Sequence, residues 1–175
     1  MRIARLATLL TAALLAACAT GGAPAPGTDA AVTFVVVRHA EKLADGSDDP
    51  PLTAEGHARA QALADSLAGS DVVAVYSTAY RRARATAGPT AQAHGVTITP
   101  YDSRQPTDGF AASLLRTHDA GTVLVVGHSN TAPAIAAALC GCEVAPMTEA
   151  EYGRRMTVHV DGDGQVTLLV APLPR

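Results

Sequence analysis

Val32-Thr33-Phe34-Val35-Val36-Val37 runs directly into Arg38-His39-Ala40-Glu41-Lys42. A run that is apolar or β-branched at every position suits a strand covered on both faces, as in a parallel sheet. An Arg-His pair straight after it lies at the strand's carboxyl end, where open α/β sheets bind ligands. Val72–Tyr76 and Thr122–Val126 repeat the pattern, and Val96–Pro100 reads as a short strand. Between these lie helical patterns over Thr53–Ala68, Ala79–Ala87, Gly109–Thr117 and Asn130–Leu139. In the first, Thr53 is an N-cap, Glu55 an acid in the opening turn, and Gly69 a stop. Its Ala60, Leu63 and Leu67 share one face. Pro133 sits in the first turn of the last helix, where its missing N–H costs nothing. Thr157–Val160 and Gln165–Val170, joined by Asp161-Gly162-Asp163-Gly164, read as a β-hairpin. Strand–helix alternation with right-handed crossovers predicts an α/β fold: a three-layer α/β/α sandwich with a mostly parallel central sheet.

Composition narrows the function classes. The 175 residues, 48% hydrophobic and 17% charged, suit one domain and are too apolar for a disordered chain. A net charge of −3 is not an excess large enough to argue for nucleic acid. With 3% aromatics and no Trp, platforms for stacking bases or sugars are not expected. Three cysteines are too few for a disulfide-built miniprotein.

The N-terminus reads as a targeting segment. Arg2 and Arg5 precede an uncharged apolar run, Leu6–Ala17. The run is shorter than the about 20 residues that span a bilayer and has the layout of a secretory signal. It ends in Leu15-Ala16-Ala17-Cys18, which resembles the bacterial lipoprotein signal. That resemblance implies cleavage before Cys18, a lipidated Cys18, and a protein anchored to a membrane and facing the periplasm or exterior. An ordinary signal peptide cut at an A-x-A site is the alternative. Ala19–Ala31, built largely from Gly, Pro, Ala and Thr, reads as a tether. The expected organisation is therefore a signal peptide over 1–17, a lipidated Cys and flexible tether over 18–31, and one folded domain over 32–175.

Three strand ends bring chemistry to one edge. The first supplies Arg38 and His39, and the second supplies Ser77 and Thr78 with Arg81, Arg82 and Arg84 just beyond. The third supplies Gly127-His128-Ser129-Asn130-Thr131. Guanidinium forks and a helix N-terminus suit a phosphate dianion. An imidazole among cations stays neutral, and so nucleophilic, near neutral pH. A second histidine can donate to an equatorial oxygen, and no metal or cofactor is required.

These motifs resemble the histidine phosphatase superfamily, the phosphoglycerate mutase-like proteins. Arg38-His39-Ala40 looks like its R-H-G/A signature, and Asp49–Gly56 like its D-x-P-L-T-x-x-G loop. Tyr76–Ala87 looks like its S-S-P-L-x-R-A-x-Q-T-A segment, and Gly127-His128-Ser129 like its second histidine signature. The resemblance implies a phosphoglycerate mutase-like fold and a phosphohydrolase working through a phosphohistidine on His39. Arg38, Arg82 and His128 would hold the phosphoryl group. Arg82 is preferred to Arg81 and Arg84 because it precedes Ala83 and stands four before Thr86, and because neighbouring helical residues diverge by about 100°. For the proton donor the expectation is Asp102, with Glu41 and Asp108 as alternatives.

Other readings stay open at this stage. Within the superfamily they are a phosphohistidine-protein phosphatase or a mutase, though the insertions that cover a mutase pocket are missing. Outside it, one is a catalytically inactive binding lipoprotein. Another is a serine hydrolase with Ser129 in a near-miss nucleophile elbow, Glu143, Glu149 or Glu151 as acid, and His159. Leu139-Cys140-Gly141-Cys142 lacks the P-C-x-x-C spacing of a zinc deaminase. Its cysteines are expected to be two partly buried thiols rather than a bridge.

Overall fold

The computed structural model describes residues 31–173. The expected signal peptide, Cys18 and the tether up to residue 30 lie outside the described residues. Strands and helices alternate as β1 (Val32–Arg38), α1 (Ala54–Ser66), β2 (Val72–Thr78), α2 (Arg81–Ala93) and β3 (Ile98–Tyr101). They continue as α3 (Thr107–Thr117), β4 (Gly121–Gly127), α4 (Thr131–Cys140), β5 (Arg154–Val160) and β6 (Val166–Pro172). The six strands form one sheet in the order β3-β2-β4-β1-β5-β6. β1 to β4 are mutually parallel, while β5 runs antiparallel to β1 and forms a hairpin with β6.

The apolar runs are explained by layers on both faces. Phe34 and Val36 of β1 pack with Val123 and Val125 of β4 under α3 and α4. Val35 and Val37 pack with Leu124 and Val126 under α1 and α2. Each such side chain, fully buried, contributes roughly 1.5–3 kcal/mol. The layering is that of an α/β/α sandwich with a mostly parallel sheet.

Chain direction then creates the crevice. α1 follows β1 onto one face and α4 follows the adjacent β4 onto the other. The connections leaving these two neighbouring strands diverge, which opens a gap at their carboxyl ends.

Two local expectations are corrected. The second helix does not stop at Ala87. α2 continues through Gly88 and Pro89 to Ala93, because Thr90 and Ala91 are buried and their packing outweighs the N–H that Pro89 lacks. The cysteines are not free thiols, since Cys140 and Cys142 are bridged. Gly141 caps α4 in the left-handed region at φ 62°, and that turn brings the two Cα atoms to 5.2 Å, within bridging range.

The loop after His39 passes so close to α1 that the helix requires glycine at position 56. A Cβ there would lie 2.2 Å from the carbonyl oxygen of Glu41, two residues after His39. Gly56→Ala should therefore destabilise the protein by about 1–3 kcal/mol. Gly88→Ala, in open space within α2, should stabilise it by about 0.5–1 kcal/mol. Urea denaturation of the two variants checks this; equal effects at the two sites would contradict it.

Candidate active site

His39 follows β1 and His128 follows β4, the strands that flank the crevice. The His39 backbone N–H donates to Gly127 O at 2.9 Å, locking the two strand ends together. The imidazole centroids lie 5.3 Å apart, edge to face. His39 Nδ1 donates to Ala40 O at 2.8 Å, so the lone pair resides on Nε2. That atom accepts from Arg82 Nε at 3.2 Å. α2 fixes the arrangement twice over: Ala40 N donates to Thr86 Oγ1 at 2.9 Å, and Thr86 Oγ1 donates to Arg82 O at 2.8 Å.

Arg82 is the arginine of the α2 trio that lines the pocket, while Arg81 and Arg84 are exposed. Its guanidinium carbon lies 4.4 Å from the Tyr80 ring centre, and Nη1 lies 3.5 Å from Asp49 Oδ1. Asp49 Oδ1 also accepts from Arg81 N at 2.9 Å and so caps α2 from a distant loop. His128 Nε2 shares a hydrogen bond of 3.0 Å with Thr78 Oγ1 at the end of β2.

Arg38 is 1% exposed. Its Nη1 donates to the carbonyls of Thr148, Glu149 and Glu151 at 3.0, 2.8 and 2.9 Å. Nη2 donates to Glu149 Oε2 at 2.9 Å, and the Tyr152 ring centre lies 4.2 Å from the guanidinium carbon. Nε is buried with no partner in the protein. Arg38, His39, Arg82 and His128 together line one open pocket of about 310 Å³, joined at its rim by Lys42 and Glu149. A larger neighbouring cavity, about 530 Å³, shares Tyr80, Ser103 and Arg104 with it.

The electrostatics follow from the packing. Burial is the main reason that the His39 pKa falls to about 3; the Nδ1–Ala40 bond opposes the shift, and Arg38, His128 and Arg82 reinforce it. Burial, then Arg82 and Arg38, lowers His128 to about 4 against an opposing pull from Glu149. Both rings are neutral at pH 7.

The three carboxylates considered as proton donors are not brought to this pocket. Asp102 lines the neighbouring cavity, exposed, with its carboxylate on the backbone and side chain of Arg104. Glu41 turns onto Arg59, whose Nε donates to it at 2.8 Å. Burial pushes the Glu41 carboxyl up, but Arg59 outweighs this and holds it below the ordinary range. Asp108 is an exposed residue in the first turn of α3. The pocket acid is Glu149, considered from sequence only as a partner for Ser129. Its segment, 141–153, has no helical or strand period to reveal it; three acids and Tyr152 just ahead of β5 were the available signal. The serine-hydrolase arrangement is not formed. His159 lies opposite Thr33, toward the amino end of β1 and the far edge of the sheet from Ser129. Among the described residues, no group of three or more His, Cys, Asp or Glu could hold a metal ion.

Comparisons with known proteins agree with the motif reading. Residues 34–105 match the sequence profile of the histidine phosphatase superfamily (branch 1). No curated protein sequence matches the chain. Among solved structures, a protein assigned as the phosphohistidine phosphatase SixA of Nakamurella multipartitia superposes with a TM-score of 0.61 at 24% identity, covering 82% of this chain and 98% of that one. SixA complexed with tungstate gives 0.63 at 20% identity, covering 81% and 96%. A mycobacterial glucosyl-3-phosphoglycerate phosphatase gives 0.65 at 16% identity, covering 82% and 100%. At these identities the likeness establishes the fold, a phosphoglycerate mutase-like sandwich.

The neutral imidazoles give a pH prediction. The unfolded chain takes up protons at both histidines as pH falls below about 6.5, whereas the folded chain does not until about pH 3–4. Their contribution to stability is complete above about 6.5 and lost progressively below it. NMR titration of the imidazole nitrogens should show His39 and His128 still neutral at pH 5; midpoints near 6.5 would contradict the packing account.

Proposed function

We propose that this protein is a phosphohydrolase of the histidine phosphatase superfamily, with His39 as nucleophile and a phosphohistidine intermediate. The observation that carries the reading is the convergence of two neutral imidazoles and two guanidinium groups on one pocket, with a buried Arg38 N–H lacking any protein partner. A phosphoryl oxygen supplies that partner. Arg82, now donating to His39 Nε2, redirects that hydrogen bond to a phosphate oxygen, keeps its proton, and frees the lone pair for in-line attack. His128 and Arg38 hold the other oxygens as charge shifts toward the leaving group. Water then hydrolyses the phosphoenzyme. No step in this scheme calls for a metal.

A phosphohistidine-protein phosphatase is the second reading. It is supported by the SixA likeness, which spans nearly all of those chains, and by the openness of the pocket to solvent.

We also infer that the domain is lipid-anchored through Cys18. The segment preceding Val32 meets the sheet at the amino end of β1, while the pocket lies at its carboxyl end. Seven strand residues separate them, about 23 Å. An anchor at the amino end of β1 therefore leaves the pocket, at the opposite end of the strand, unobstructed.

A phosphate-release screen over sugar, nucleotide, lipid and protein phosphates tests the reading. His39→Ala should abolish turnover and keep the fold. Arg82→Ala should lose about 10²–10³-fold in kcat/KM, and exposed Arg81→Ala less than about threefold. Full activity in His39→Ala, or the reverse order for the two arginines, would overturn the assignment.

A further inference from the structure

Breaking the ester of an alkyl phosphate needs a proton for the departing oxygen, and none of Asp102, Glu41 and Asp108, the acids expected as its donor, lines the pocket. We propose that Glu149 is the catalytic acid and base of this site: it protonates the leaving oxygen in the first half-reaction and deprotonates the attacking water in the second. The proposal rests on the phosphohydrolase reading above.

The geometry carries it. Among the residues lining the histidine pocket, Glu149 is the one carboxylate. His39 sits at the closed end, 2% exposed, and the Glu149 side chain at the open end, 77% exposed. In-line attack from His39 expels the leaving group away from the buried ring, toward the open side where Glu149 stands.

The carboxylate is also held in place. Arg38 Nη1 gathers the carbonyls on both sides of Glu149, and Arg38 Nη2 and Ser129 Oγ bind its two oxygens. The segment that bears it is fixed at one end by the Cys140–Cys142 bridge and the Gly141 cap. At the other end Arg154 donates to Ala145 O at 2.6 Å and Pro146 O at 3.2 Å, and to Glu151 Oε1 at 2.6 Å. Glu151 is thereby committed to Arg154, while Glu149 is left facing the pocket.

Its protonation changes with occupancy. In the free protein the Ser129 hydroxyl first, against some burial, and then Arg38, His39 and Lys42 hold Glu149 below the ordinary carboxylate range. His128 is the remaining titratable neighbour that feels its charge. A phosphate dianion reverses this balance, because it places like charge beside the carboxylate and competes for the Arg38 N–H groups.

Atoms and electrons balance. The His39 Nε2 lone pair forms the N–P bond. The P–O ester bond breaks with its electron pair on oxygen, which takes the Glu149 proton and departs as the alcohol. Glu149 carboxylate then accepts a proton from water as its oxygen bonds to phosphorus, and the P–N pair returns to Nε2.

The test compares kcat/KM, which covers steps only through leaving-group release, for para-nitrophenyl, phenyl and glycerol phosphates in wild type, Glu149→Gln and Glu149→Asp. Glu149→Gln should lose about 10²-fold or more on glycerol phosphate, with the loss shrinking as the leaving group becomes more acidic. Glu149→Asp should fall between Gln and wild type. Tungstate should bind Glu149→Gln at least as tightly as wild type, which confirms a folded pocket. The same fractional loss on all three esters would make Glu149 a mere positioning group for Arg38, and no loss on any would remove it from the reaction; either result overturns the proposal and leaves the phosphohydrolase reading standing. Failure of wild type to release phosphate from any ester would instead sink both.

Discussion

The structure turns on a buried positive charge. Arg38 is held almost entirely out of water, an arrangement that costs several kcal/mol unless its donors find partners. Three backbone carbonyls, the Glu149 carboxylate and the Tyr152 ring provide most of that compensation. The segment before β5 is folded back over the sheet edge by these bonds. What they leave over, the Nε–H, is a donor suited to an oxyanion. Burial first, and then this cation with Arg82, keeps both imidazoles neutral.

Topology brings these groups together at little local cost. β1 and β4 are neighbours in the sheet but send their following helices to opposite faces. Residues 39 and 128 therefore meet across the crevice although 89 positions apart. α2 adds Arg82 and, through Thr86, sets the backbone of Ala40. The requirement for glycine at position 56 belongs to the same design, since the loop after His39 passes against α1 with no space for a side chain.

Much of this was legible in the sequence because it rests on local pattern. Continuous β-branched runs marked β1, β2 and β4, and their final residues marked the site edge. The choice of Arg82 over Arg81 followed from its place before Ala83 and four before Thr86 in the motif, with helical geometry adding only that the two could not share one pocket. The pocket carboxylate was not legible. Glu149 lies in a segment without period, and it faces the pocket because of carbonyl contacts to a residue more than 100 positions away. Asp102 looked plausible by chain position, yet its own neighbour Arg104 takes its carboxylate. The Cys140–Cys142 bridge depends on a left-handed Gly141, a conformation that spacing does not reveal. α2 outran its expected end because tertiary burial of Thr90 and Ala91 outweighs the N–H that Pro89 lacks.

The central claim is that the His39 imidazole carries the phosphoryl group. Rapid acid-free quenching of wild-type protein turning over para-nitrophenyl phosphate, followed by peptide mass spectrometry under alkaline conditions, tests it directly. The account predicts one acid-labile, alkali-stable phosphoryl group on the peptide containing His39, absent from His39→Ala. Turnover with no such adduct on that peptide, or an adduct on His128 or Ser129 instead, would contradict it.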